Sequence, residues 1–146
     1  MESTLDIQGH GLQARRLSHA ELRAMPRHEL GAVDVLCLTG RQVSHVEKLA
    51  GARLTDILNL VGLAELPRAE LKQCIIVAEG QDGYRAVFSW NELHNTPVGN
   101  KVQVLYEQGG TSLDAHLGAL CLISANDLHL GPRHLRSLCR VSVQML

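Results

Sequence analysis

One cysteine stands where a strand is predicted to end, in the stretch VDVLCLTGR from Val33 to Arg41. The apolar, β-branched residues before Cys37 favour an extended strand, and the Thr-Gly-Arg sequence after it is typical of a turn. A thiol at such a boundary could be presented to a ligand as a thiolate, which is both a nucleophile and a soft metal ligand. A buried free cysteine, in contrast, behaves as a small hydrophobic residue. The residue pattern leaves both interpretations of Cys37 open.

The other three cysteines, Cys74, Cys121 and Cys139, lie inside apolar runs and are predicted to be core residues. None of the four forms a Cys-x-x-Cys pair, which argues against a zinc knuckle or a thioredoxin-like motif. Unpaired cysteines of this kind indicate a reducing compartment. No signal peptide is visible, so we expect a cytoplasmic location, or a periplasmic one if a leader has been removed.

Basic residues that could hold an anion are mostly arginine, which makes up 11 of the 14. The planar guanidinium suits phosphate and carboxylate, although the same bias can reflect genomic base composition. His134 and Arg136, two residues apart on a predicted strand, would share one face, as they would also on a solvated edge strand. Arg41 and His45 lie in a predicted loop and could simply be exposed. The net charge of -1 argues against a general nucleic-acid or membrane binder.

These residues must be positioned by a chain of 146 residues, which suits a single domain over 1–146, with 1–11 expected as a flexible tail. Capping boxes at Ser18 and Ser89, and helical spacing that ends at Gly62, predict three short helices. Thr39 to Ala52 is predicted as a polar loop. Because the remaining segments have the character of strands and no regular βαβ crossover is present, we expect an α+β domain with mixed β-sheets. The predicted strands are His28 to Leu38, 73–80, 85–88, 101–107, 118–124 and 134–146.

The order of these segments resembles the oxidoreductase molybdopterin-binding domain, the family with the sulfite oxidase fold. The resemblance runs from about Leu12 to Val143 and implies that fold for the chain. It is carried by four stretches in order: AELRAMP followed by VLCLTG, then GARLTDILNLVGL, GQDGYRAVFSWNEL and GPRHLRSLCRVSV.

In that family the cysteine at the strand end ligates molybdenum, which the dithiolene of a molybdopterin also holds. The resemblance therefore implies that Cys37 is the metal ligand and the catalytic residue. It further implies that basic residues anchor the pterin phosphate, because guanidinium and imidazole groups donate hydrogen bonds to phosphate oxygens. The residues that match are Arg41, His45, Arg133, His134 and Arg136.

The resemblance implies an oxidoreductase that moves an oxygen atom to or from a small oxyanion or sulfoxide. A separate protein would have to exchange electrons with it, because the chain has no haem or flavin motif. The alternative is a binding or interaction module that keeps the fold and has lost the cofactor. The shortened loop QVSHVEKLA after the cysteine, and Cys121 where the family has an arginine, favour the alternative. The cysteine itself favours the enzyme.

Overall fold

The chain forms short helices around strands that belong to three sheets. The computed structural model describes residues 4–113 and 120–146, and every statement below refers to those residues. The helices are α1 (His19–Arg23), α2 (Leu54–Leu60), α3 (Arg68–Leu71) and α4 (Trp90–Asn95). The strands are β1 (Leu5–Gly9), β2 (Arg15–Leu17), β3 (His28–Leu30), β4 (Val33–Leu36), β5 (Gln42–Val46), β6 (Leu49–Arg53), β7 (Cys74–Gly80), β8 (Arg85–Ser89), β9 (Val102–Gln108), β10 (Thr111–Ser112), β11 (Cys121–Ser124) and β12 (Leu138–Met145).

The first sheet has the order β2-β1-β12-β7-β8, in which β1 runs parallel to β12 and the other pairs are antiparallel. The second sheet has the order β10-β9-β6-β3, and β11 also pairs with β9. Strands β4 and β5 form a separate antiparallel hairpin, called here the cysteine hairpin because Cys37 follows β4 directly. The mixture of parallel and antiparallel strands with short helices confirms the predicted α+β class.

Two hydrophobic cores hold these layers together. The larger core takes Ile7 and Phe88 from the first sheet and Val104 from the second, with apolar residues of the helices between them. The smaller core lies on the other face of the second sheet, where Leu105 and Ile123 pack with Val35 of the cysteine hairpin. Alternate residues of the second sheet thus serve two cores, as the twofold side-chain period of a strand requires. The smaller core fixes the cysteine hairpin to the rest of the molecule.

Local sequence signals place the helix ends correctly. The Ser18 side chain accepts a hydrogen bond from the Glu21 amide and the Glu21 carboxylate reaches back, which is the predicted capping box. Ser89 caps α4 through the Glu92 amide, but the predicted capping box is only half formed, because both oxygens of the Glu92 carboxylate bind Arg133. Gly62 adopts a left-handed φ of 93° after α2, as predicted. One helix was missed, because α3 begins after Pro67 without a side-chain cap.

Three predictions about the strands were wrong. The strand expected over His28 to Leu38 is two strands, since the exposed Gly31 lies where the chain passes from the second sheet to the cysteine hairpin. The polar loop expected over Thr39 to Ala52 contains β5 and β6. Strand β6 was missed because its small residues do not have the β-branched character expected of a strand. In the structure these small residues let β6 approach β9 closely: a Cβ on Gly51 would lie 2.1 Å from the Val104 carbonyl oxygen. The last strand begins at Leu138 and not at 134.

The flexible tail expected over 1–11 was also wrong for the part that is described. Strand β1 lies inside the first sheet between β2 and β12, with Leu5 and Ile7 fully buried. No local feature distinguishes such a strand from a tail, because β12, which pairs with its other edge, lies more than 130 residues away. Within the predicted strand 118–124, residues 118 and 119 lie outside the described residues, and 121–124 form β11 as predicted. Among the described helices, all are too short to cross a membrane.

Candidate functional site

Cys37 is the first residue of the tight turn at the tip of the cysteine hairpin. Its amide donates to the Arg41 carbonyl oxygen at 2.9 Å, and its own carbonyl accepts from the Gly40 amide at 2.8 Å. Gly40 has a φ of 86°, a left-handed conformation that a glycine adopts without steric cost. The turn is therefore closed on both sides, and the half-buried Cys37 side chain is held at the boundary between strand and turn. This is the position that the sequence predicted.

The environment of the Cys37 sulfur favours the thiolate. The Thr39 hydroxyl lies 2.8 Å from the sulfur and can donate to it, and this contact is the main reason that the Cys37 pKa is lowered to about 7. The Cys37 pKa is also lowered by the backbone amides of Thr39 and Arg41 and by the charge of Arg41. Partial desolvation of the sulfur opposes these effects and raises the pKa. A substantial fraction of Cys37 is thus ionised at neutral pH.

The other three cysteines differ from Cys37 in this respect. Burial raises the pKa of Cys121 to about 11 and raises the pKa of Cys74 and Cys139 as well. Cys74 and Cys121 are buried as predicted, while Cys139 is only half-buried on β12. Cys37 is therefore the thiol most suited to bind a ligand or to react.

The turn that carries Cys37 touches the segment that begins at Gly131. A Cβ on Gly131 would lie 2.6 Å from the Leu36 carbonyl oxygen and 3.3 Å from the Cys37 Cα, so only a glycine fits this approach without a backbone shift. Gly131 opens a 3-10 turn over Gly131–Arg133. The structure therefore brings together the two stretches in which the sequence places the candidate site.

Arg133 is fully engaged by partners within the chain. Its Nε and Nη2 donate to both oxygens of Asp127 at 2.8 and 2.7 Å, and its Nη1 and Nη2 donate to both oxygens of Glu92 at 2.9 and 3.0 Å. Nη1 also donates to the Val87 carbonyl oxygen, and the guanidinium lies 4.2 Å from the centroid of the Phe88 ring. These bonds use all five N–H donors of an arginine, and the two carboxylates raise the pKa of Arg133.

His45 also has partners on both ring nitrogens. Its Nδ1 lies 2.6 Å from the Asp34 carboxylate across the cysteine hairpin, and its Nε2 lies 3.0 Å from the Glu47 carboxylate. These contacts raise the pKa of His45 above its ordinary value, with Asp34 contributing most. The imidazole links the two strands of the hairpin and has no nitrogen left for a further ligand.

The remaining basic candidates differ in how far they are exposed to solvent. Arg41 is exposed on the cysteine turn, and Arg136 is exposed in the segment before β12. His134 is half-buried, and its pKa is lowered first by burial and then by the charge of Arg136. The expectation that His134 and Arg136 share a strand face was wrong, because β12 begins only at Leu138 and an isolated bridge between Leu122 and Leu135 precedes it.

Sequence reasoning missed the acidic partners of this region. Glu92 was identified only as a helix-capping residue, and Asp127 drew no attention in the loop SANDL. The side chain of Asp127 is only 13% exposed, which for a carboxylate signals a partner. Asp127 lies six residues before Arg133, and this short separation could have suggested an ion pair. Glu92 lies 41 residues before Arg133, so the sequence gives no sign of that contact.

A molybdopterin needs a ligand for its metal and donors for its phosphate, and the predicted residues differ in how they meet these two requirements. The Cys37 thiolate suits a soft metal. The arginine of the matching terminal motif has no free donor, and beside the turn lies a shallow, mainly apolar groove lined in part by Leu38, Leu128 and Pro132. Of the predicted phosphate anchors, Arg133 and His45 therefore do not fit a pterin phosphate. The exposed Arg41 and Arg136 remain as basic groups without such partners among the described residues.

The sequence matches no family model and no curated protein. Among solved structures, the chain is similar to the sulfane dehydrogenase SoxCD from Paracoccus pantotrophus, with a TM-score of 0.69 and 14% sequence identity. The match covers 97% of this chain and 38% of that chain, so this chain spans well under half the length of its structural neighbour. The similarity shows a shared fold across nearly the whole chain.

Proposed function

We propose that this chain is a non-catalytic binding module that keeps the fold of an oxidoreductase and presents the Cys37 turn to its ligand without a molybdopterin. The supporting observation is the set of hydrogen bonds that occupies every N–H donor of Arg133. A phosphate could reach this guanidinium only by displacing Asp127, Glu92 or the Val87 carbonyl oxygen.

Such a displacement is unfavourable on two counts. The side chain of Asp127 is only 13% exposed, so a phosphate that took its place on Arg133 would leave a poorly hydrated carboxylate unpaired. An incoming phosphate would also place its negative charge beside the two carboxylates, which repel it. Arg133 is accordingly assigned a structural role, in which it ties α4, the edge of β8 and the loop of Asp127 together.

The experiment is to express the chain in a host that makes molybdopterin and to measure molybdenum per purified chain. We expect no stoichiometric molybdenum in the wild type, and the same result for Cys37→Ser and for the control Cys139→Ser. Stoichiometric molybdenum that is lost in Cys37→Ser and kept in Cys139→Ser would contradict the proposal of a non-catalytic binding module.

That second outcome would establish the other candidate, an oxidoreductase with molybdenum bound through Cys37. The exposed turn and the Cys37 pKa of about 7 favour it, because a thiolate is the form that ligates a metal. The molybdopterin would then supply oxygen-atom transfer to or from a small oxyanion or sulfoxide. The chain would contribute the position of the Cys37 sulfur and the nearby charge of Arg41, and a separate partner would exchange electrons.

A further inference from the structure

A second concave site lies between α3 and α4, away from the Cys37 turn. The cleft has a volume of about 520 Å³, which falls in the range of small-molecule sites. Its wall contains the two partly buried apolar side chains Leu66 and Trp90, which also pack against the larger core. The polar groups on its rim come from the same two helices. The cleft thus combines an apolar wall with convergent polar side chains.

Aromatic rings form one wall of this cleft. The rings of Trp90 and His94 are stacked, with centroids 5.3 Å apart and an interplanar angle of 16°. His94 Nδ1 donates to the Trp90 carbonyl oxygen at 3.2 Å, which fixes the imidazole, and burial lowers its pKa so that the ring is neutral at pH 7. A planar ligand ring can extend such a stack, an arrangement that binds nucleobases through their π-faces.

The opposite rim of the cleft is positively charged. Arg68 and Lys72 lie one helical turn apart, both are exposed, and within the described residues neither has a hydrogen-bond or ion-pair partner for its side chain. Two nearby carboxylates are engaged elsewhere, Glu70 with His10 and Glu92 with Arg133. The rim therefore favours an anionic group, and a guanidinium with an ammonium suits a phosphate.

Two amides complete the site on α4. Asn95 Nδ2 donates to Asn91 Oδ1 at 3.0 Å, which leaves the amide nitrogen of Asn91 and the amide oxygen of Asn95 available in the cleft. One donor and one acceptor side by side complement the edge of adenine, which presents an exocyclic amino group beside a ring nitrogen. The amide pair thus selects for a heterocyclic base.

We propose that this cleft binds a purine mononucleotide, with the base stacked on the Trp90–His94 pair and the phosphate held by Arg68 and Lys72. The proposal concerns a site that is separate from Cys37 and does not depend on whether the chain binds molybdenum.

Trp90 is the only tryptophan of the chain, so its fluorescence reports on this site alone. Titration with adenosine 5'-monophosphate, excited at the red edge of indole absorption, should give saturable quenching, and equilibrium dialysis with labelled nucleotide should give the same affinity. Adenosine, which lacks the anion, and inorganic phosphate, which lacks the base, should each bind at least about tenfold more weakly, since each loses one set of contacts.

The double variant Arg68→Ala/Lys72→Ala should weaken nucleotide binding on the order of tenfold or more, because two charge-assisted contacts are lost. The matched control is Arg15→Ala/Arg16→Ala, which removes the same charge from exposed arginines on β2. Circular dichroism confirms that both variants fold. The proposal is overturned if the wild type shows no saturable binding at millimolar nucleotide, if phosphate alone binds as tightly, or if the two double variants bind equally.

Discussion

At the scale of the single residue, Cys37 owes its acidity mainly to one hydroxyl. Replacing Thr39 with valine removes the hydrogen bond to the sulfur and should move the Cys37 pKa from about 7 toward ~8.5. The rate of alkylation by iodoacetamide at pH 7 should then fall roughly threefold to fourfold, since fewer thiolates remain but each is more nucleophilic. Mass spectrometry of the labelled cysteine measures the rate.

Thr39→Ser is the matched control, because serine keeps the hydroxyl and should keep the rate. In the wild type the rate should rise with pH around an inflection near 7, and Cys121, whose pKa is raised to about 11 by burial, should react far more slowly. Equal rates for Thr39→Val and Thr39→Ser would show that the hydroxyl does not set the acidity of Cys37.

Arg133 provides the second prediction at this scale. Arg133→Met should lower the free energy of unfolding by about 3 kcal/mol, because Asp127 and Glu92 lose their partner while remaining largely shielded from water. Arg133→Lys should recover little, since an ammonium cannot satisfy two carboxylates and the Val87 carbonyl in the geometry of the guanidinium. Urea denaturation measures both changes.

The control is Arg136→Met, which removes an exposed arginine three residues later and should change stability by no more than about 0.5 kcal/mol. A Met variant at Arg133 as stable as this control would mean that Arg133 is not a structural clamp and is free for an anion.

At the scale of the elements, the cysteine hairpin depends on its contact with Gly131. Gly131→Ala would place a methyl group 2.6 Å from the Leu36 carbonyl oxygen, so we expect a loss of about 1–3 kcal/mol in the free energy of unfolding. Gly31→Ala is the control, because nothing lies within 4 Å of a Cβ there. The alkylation rate of Cys37 should change in the first variant alone, and identical stabilities for the two would exclude the close contact.

The same hairpin should respond to pH through His45. The contacts with Asp34 and Glu47 raise the pKa of His45 in the folded chain, so protonation stabilises the hairpin. This contribution is fully present below the ordinary histidine pKa of ~6.5 and is lost as the pH rises through the higher folded value.

Hydrogen exchange of the β4 and β5 amides, corrected for intrinsic rates, should therefore show stronger protection at pH 6 than at pH 8.5. The measurement belongs in a Cys37→Ser background, because Cys37 titrates over the same range. In His45→Asn the pH dependence should disappear, and its persistence would assign the effect to another group.

At the scale of the whole molecule, the first sheet depends on strand β1, which lies between β2 and β12. Ile7 is 1% exposed in the larger core, so Ile7→Ala should cost about 2–5 kcal/mol of stability. Its neighbour Gln8 is exposed on the same strand, and Gln8→Ala should change stability by less than about 0.5 kcal/mol. Thermal unfolding measures both changes. An Ile7 variant as stable as the Gln8 variant would support the prediction of a flexible N-terminal tail.

Features that depend on neighbours in the chain could be determined from the sequence alone. The caps at Ser18 and Ser89, the left-handed Gly62, the Asp82-Gly83 turn between β7 and β8, and the position of Cys37 beside a turn are all decided by residues within about four positions. Their energies come from local hydrogen bonds and backbone sterics, which the residue types themselves specify.

Features that depend on distant partners were decided only by the tertiary structure. Strand β6 is a strand because β9 and β3 lie beside it, and β1 is ordered because β12 pairs with it. Arg133 carries the same charge whether it faces a phosphate or a carboxylate. Glu92 reaches it across 41 residues, and no local pattern records that pairing. The hydrogen-bond partners of a side chain are set by which elements pack together, and it is those partners that separate a structural arginine from an anion-binding one.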